Sequence, residues 1–123
     1  MAKRPIIENR EAAVRGRAVR TLLKLFDSLY EGAVAIDSQA RIVWMNDKYK
    51  ALLGWNGTEP IEGRPIEEVI PNSMMREVVE TGRADLLDIF PVNNRQLVVS
   101  RVPLFADDGS VSGALGIILY DRL

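Results

Sequence analysis

Three features of the 123-residue chain predict an α+β fold. Two short runs rich in β-branched and aromatic residues meet across a polar break between Ala33 and Asn46, which reads as a hairpin. Short helical segments follow, from Asp47 to Thr81, and then a three-stranded meander from Ala84 to Tyr120. Strands, then helices, then strands is the α+β order, distinct from a repeated strand–helix–strand unit. The length suits one domain. Residues 1–30 are predicted to form an N-terminal helical segment, and residues 31–123 the core.

Glu8 to Tyr30 reads as the long helix. Val19, Leu22, Phe26 and Leu29 recur at steps of three and four, and Ala12 extends that stripe. Gly16 weakens the N-terminal half by about 1 kcal/mol relative to Ala. In the hairpin, Ala33-Val34-Ala35-Ile36-Asp37 pairs with Arg41-Ile42-Val43-Trp44-Met45-Asn46. Asp37 folds its carboxylate onto the turn, and Asn46 or Asp47 caps the next helix. That helix runs Asp47 to Leu53 and stops at Gly54. A loop, a turn of helix after Pro65 and a helix from Met74 to Thr81 follow, the last capped by Asn72 or Ser73 and closed by Gly82. The predicted meander strands are Ala84–Val92, Arg95–Phe105 and Ser110–Tyr120. Pro91 argues for an edge or a bulge in the first of them.

The meander is apolar on both faces. Val98, Val102 and Leu104 alternate with Leu97 and Val99, and Leu115, Ile117 and Leu119 alternate with Ala114 and Ile118. A sheet with two apolar faces needs two covers. The short helices are expected to cover one, and the N-terminal helix, from its own chain or a partner's, the other.

The chain has no cysteine and no histidine. Disulfides, thiolate chemistry, the commonest general base and the usual haem ligand are thereby excluded. The net charge is −1, with 47% of residues hydrophobic. Residues 1–30 hold seven Lys or Arg against three acids, and the remainder nine against fourteen, so the body does not suit nucleic acid. No apolar run reaches the length of a membrane span, and a cytoplasmic location is expected.

Asp37, Ala40-Arg41-Ile42-Val43, Asn46, Leu53-Gly54, Ile61-Glu62-Gly63-Arg64-Pro65 and Gly113-Ala114-Leu115-Gly116-Ile117 together resemble a PAS domain over roughly residues 27–121. Val69-Ile70-Pro71-Asn72-Ser73 and Glu80-Thr81-Gly82 are similar to the PAS domains of bacterial sigma-54-dependent activators. The resemblance implies a five-stranded antiparallel sheet in the order 2-1-5-4-3, with short helices on one face enclosing a pocket. It also implies a homodimer formed through the N-terminal helix, and a sensory role. DNA and RNA polymerase would be reached only through domains outside this chain.

Without cysteine, the flavin photoadduct and the linked pigment of light-sensing members are ruled out, and without histidine so is the common haem ligation. Met45, Met74 and Met75 read as core filler. Gly113 and Gly116 fall within a strand, so they signal close backbone approach and not a phosphate cradle. No nucleophile–base pair is visible, and the chain is expected not to be an enzyme. The pocket is expected to take a small apolar molecule. Its expected walls are Ile36, Trp44, Leu53, Val69, Met74, Val78, Leu87, Val98, Val102, Leu115 and Ile117, with polar contacts from Asn46, Tyr49 and Ser100. Arg101 is expected to point away from it. The expected dimer interface comprises Val19, Leu22, Phe26, Leu29, Leu97 and Val99. The alternative is a ligand-free dimerisation or interaction module, for example of a sensor kinase.

Overall fold

The computed structural model describes residues 3–28, 32–56, 58–92 and 94–122. Its elements in order are α1 (Lys3–Ser28), β1 (Gly32–Asp37), β2 (Ile42–Met45), α2 (Asp47–Leu53), α3 (Ile66–Val69), α4 (Met75–Thr81), β3 (Asp85–Val92), β4 (Arg95–Phe105) and β5 (Val111–Arg122). The strands form one antiparallel sheet ordered β2-β1-β5-β4-β3. Both the α+β class and the strand order match the sequence expectation. The first helix begins five residues earlier than the apolar stripe suggested.

Local chemistry sets the hairpin. Asp37 Oδ1 accepts from the backbone N–H groups of Gln39 at 2.9 Å and Arg41 at 3.0 Å. Asn46 Oδ1 accepts from Tyr49 N at 3.1 Å and Ala33 N at 3.0 Å. One buried amide therefore caps α2 and ties it to β1. The Ile61–Pro65 stretch folds onto the same hairpin: Gly63 N donates to Ile42 O, Ile42 N to Arg64 O, and Ile66 N to Ala40 O. Arg76 grips Glu67 through two hydrogen bonds, which joins α3 to α4 and holds the Glu67 carboxyl below its usual range.

The core lies between the sheet and helices α2–α4, around Val34, Ile36, Ile42, Tyr49, Ile66, Met75, Leu97 and Ile118. This layout corrects the predicted facing of β4. Leu97 and Val99, expected on the reverse face as part of a dimer interface, are 0% and 5% exposed in the helix-covered core. Val98, Ser100 and Val102 take the reverse face. The same parity holds along β5, where Gly116 sits under Met75 of α4, so Leu115 and Ile117 alternate to the other side. Trp44 pairs with Ala35, out of step with the buried Val34–Met45 pair, and also lies on the reverse face. Both sets of β4 side chains are apolar, so alternation alone does not say which set meets the helices.

Apolar side chains do line both faces. On the reverse side Leu104 and Leu119 are exposed, and Val98, Val102, Leu115 and Ile117 are half-buried. Helix α1 is present, but its described apolar side chains Val14, Val19 and Leu22 are exposed and do not supply that cover within one chain. The Phe26 side chain and Leu29 lie outside the described residues.

Gly113 stands opposite Asp37, where a Cβ atom would come within 2.2 Å of the Ile36 carbonyl oxygen. Backbone cannot yield as a side-chain tip can. Gly113→Ala is expected to destabilise the domain by about 2–3 kcal/mol, read as a lowered urea midpoint, with the larger loss falling on β1–β5 pairing.

Candidate functional site

A small cavity lies between α4 and the middle of the sheet. It is lined by Val34, Tyr49, Ile70, Ser73, Met75, Phe90, Val99, Arg101, Gly116, Ile117 and Ile118. Its volume is ≈ 20 Å³. That is enough for a water or a very small molecule with the side chains as they stand.

Arg101 is the chemical centre of this cavity, and it reverses the expectation that its side chain points away. Arg101 is 3% exposed. Its Nη1 donates to Asp85 Oδ2 at 2.6 Å and Asp88 Oδ2 at 2.9 Å. The guanidinium also lies over the Phe90 ring, 4.9 Å from its centroid. Nη2, by contrast, is buried with no hydrogen-bond partner among the described residues. A buried donor without an acceptor is costly, and native structures rarely leave one without a purpose.

A bulge makes the double ion pair possible. Asp85 faces Arg101 and Asp88 faces Val99, so three steps on β3 match two on β4. In a regular strand residues three apart point to opposite faces; the extra residue returns both carboxylates to one side. Leu87 absorbs the distortion with a φ of 57°, and its N–H donates to Ser100 Oγ at 3.0 Å. The lone hydroxyl on β4 thus serves the bulge and not a ligand.

Of the expected pocket residues, Tyr49 and Ile117 border the cavity. Ile36, Asn46 and Val78 are buried elsewhere in the core, and Asn46 is occupied as a cap. Leu53 and Val69 pack on the core's edge. Trp44, Leu87, Val98, Ser100 and Leu115 do not reach it, for the parity and bulge reasons given above. Met74 is exposed; the helix starts one residue later, so Met75 turns inward in its place. The Asn72 side chain donates to Pro91 O, while Ser73 Oγ accepts from Met75 N. The residue missed outright was Arg101. Its signal was Asp85 and Asp88 on the neighbouring strand, together with glycine at position 116 directly across from it.

Tyr49 adds a neutral hydroxyl-bearing ring. Burial pushes its phenol above the usual range, and the positive charge of Arg101 offsets this only in part. Among the described residues no three His, Cys, Asp or Glu side chains are grouped to hold a metal ion, and no helix is long and apolar enough to cross a membrane.

The family described as the PAS fold matches residues 21–119. The chain belongs to the PAS fold family. This PAS domain is 33% identical over 92 residues to a probable C4-dicarboxylate sensor kinase of Halalkalibacterium halodurans, covering 75% of the chain and 17% of that protein. A probable C4-dicarboxylate sensor kinase of Bacillus subtilis is 32% identical over 97 residues, covering 79% of the chain and again 17% of the relative. The chain therefore spans about a sixth of the length of these curated relatives. Among solved structures, a PAS domain from Colwellia psychrerythraea superposes with a TM-score of 0.58 at 21% identity, covering 85% of this chain and 95% of that one. The Vibrio cholerae VqmA dimer superposes at 0.61 and 22% identity, covering 84% and 51%. A sensory box sensor histidine kinase from Vibrio cholerae superposes at 0.55 and 16%, covering 92% and 98%. These likenesses establish the fold. The domain is a sensory PAS module of the kind carried by signal-transduction proteins such as sensor histidine kinases.

Two outcomes follow from the ion pair and the phenol. Removing both acids strands a buried cation, whereas removing the cation leaves two carboxylates that are 44% and 42% exposed and water can solvate. The Asp85→Asn/Asp88→Asn double variant is expected to lose about 3–5 kcal/mol and Arg101→Met clearly less, compared by urea denaturation. Folding favours the protonated Tyr49, so its contribution is complete below the ordinary phenol value of 10.0 and declines as pH rises beyond it. Melting temperatures measured from pH 8 to 11.5 should fall less steeply in Tyr49→Phe than in the parent.

Proposed function

We propose that this PAS domain is the signal-receiving and dimerising module of a bacterial sensor kinase whose other domains lie outside this chain. The observation that carries the sensory half is Arg101, which lines the cavity and whose buried Nη2 has no hydrogen-bond partner among the described residues. A small molecule that accepts from it would compete with the present packing of β3, β4 and α4. The bulge at Leu87 and its bond to Ser100 connect that packing to the reverse face of the sheet. The signal then leaves by a change in how two copies pack.

The dimerising half is supported by the exposed Val19 and Leu22 of the α1 stripe and by the apolar reverse face, each of which needs a cover. A second copy offers both surfaces at once. The C4-dicarboxylate named for the two relatives above 30% identity belongs to those whole proteins. Their being kinases supports a kinase output over the sigma-54 output, which rests on the Val69–Ser73 and Glu80–Gly82 motifs. No group in the cavity suits bond-making chemistry, and the domain is read as a non-catalytic receiver.

Light scattering on the purified chain is expected to give twice 13.8 kDa, and Val19→Glu/Leu22→Glu the mass of one chain. A small-molecule adduct in native mass spectra, lost in Gly116→Ala, supports sensing; a dimer carrying none supports a purely structural module.

A further inference from the structure

Resting on the reading of the cavity as a sensory site, we infer that its ligand is a compact neutral molecule with one hydrogen-bond acceptor, a carbonyl oxygen or ring nitrogen, and not a carboxylate. Charge decides first. The cluster of Arg101, Asp85 and Asp88 carries one positive and two negative formal charges, and the cavity lining holds no second cation. An entering anion would be desolvated beside a site already negative overall, with nothing left to neutralise it. A neutral acceptor meets no such cost, and it satisfies the Nη2 donor that is otherwise buried unpaired.

Donor chemistry agrees. Ser73 Oγ accepts from Met75 N and keeps its O–H to donate, beside one further lone pair. Tyr49, whose phenol burial keeps protonated, borders the same cavity. The polar side of the cavity therefore presents donors. The rest, Val99, Met75 and Ile118, is apolar and suits a hydrocarbon frame.

Size limits the frame. The cavity volume is only ≈ 20 Å³, so a ring of five or six atoms requires Met75 to swing aside. Met75 is an unbranched thioether resting over Gly116, where an added Cβ would lie 2.9 Å from its sulfur. Gly116 leaves it that freedom.

Amide shifts of the ¹⁵N-labelled chain, titrated separately with cyclopentanone, cyclopentane and succinate, test the inference. Cyclopentanone is expected to move Val99, Gly116, Ile118 and the Arg101 Nε resonance, and to bind at least tenfold more tightly than either other probe. Gly116→Ala, which keeps Arg101 and its acids, should weaken it at least tenfold. Succinate binding as tightly as the ketone would overturn the ligand class while leaving a sensory cavity. Cyclopentane binding equally well would remove Arg101 from recognition and also overturn it. Saturation by none of the three at their solubility limits would overturn the class and the cavity reading together.

Discussion

The buried guanidinium of Arg101 sets the terms for the surrounding structure. A cation removed from water needs compensating charge close by, and one residue on a neighbouring strand cannot provide both carboxylates in regular geometry. The β3 bulge, with the left-handed Leu87 and the Ser100 hydroxyl on its N–H, brings both carboxylates to Arg101. Phe90 completes the enclosure by placing its ring face against the cation. The edge of the sheet is thus shaped by a charge at its centre.

That arrangement links the two faces. Arg101 and the carboxylates belong to the helix-covered side, whereas Ser100 and the exposed Leu87 belong to the other. They are consecutive or nearly so in sequence, and the bulge geometry is common to both. Arg101 and Ser100 are adjacent on β4, so the ion pair and the reverse face meet at one step of strand.

Glycine and asparagine carry much of the remaining architecture. Asn46 caps α2 and holds it to β1 with a single carbonyl oxygen, which fixes where Tyr49 stands relative to the sheet. Gly113 admits the β1 backbone, and Gly116 admits Met75. On the reverse face Leu104 and Leu119 are exposed, as are Val14, Val19 and Leu22 of α1.

Local patterns in the sequence were sufficient for the architecture. Turn formers, caps and the change of hydrophobic period located every strand and short helix, because those signals act between residues a few positions apart. The resemblance then supplied the strand order. The facing of β4 was not legible: Leu97-Val98-Val99 is apolar whichever way it is turned, and Arg101 suggested an outward charge. Only tertiary structure could settle that parity, since it depends on Asp85 and Asp88 arriving through a bulge from another strand and on Met75 closing over Gly116. Sequence alone determined a sheet apolar on both faces, a long helix before it and short helices to cover one of those faces. Long-range packing decided which side chains meet inside it, because burying a charge is tolerable only where distant residues converge to balance it.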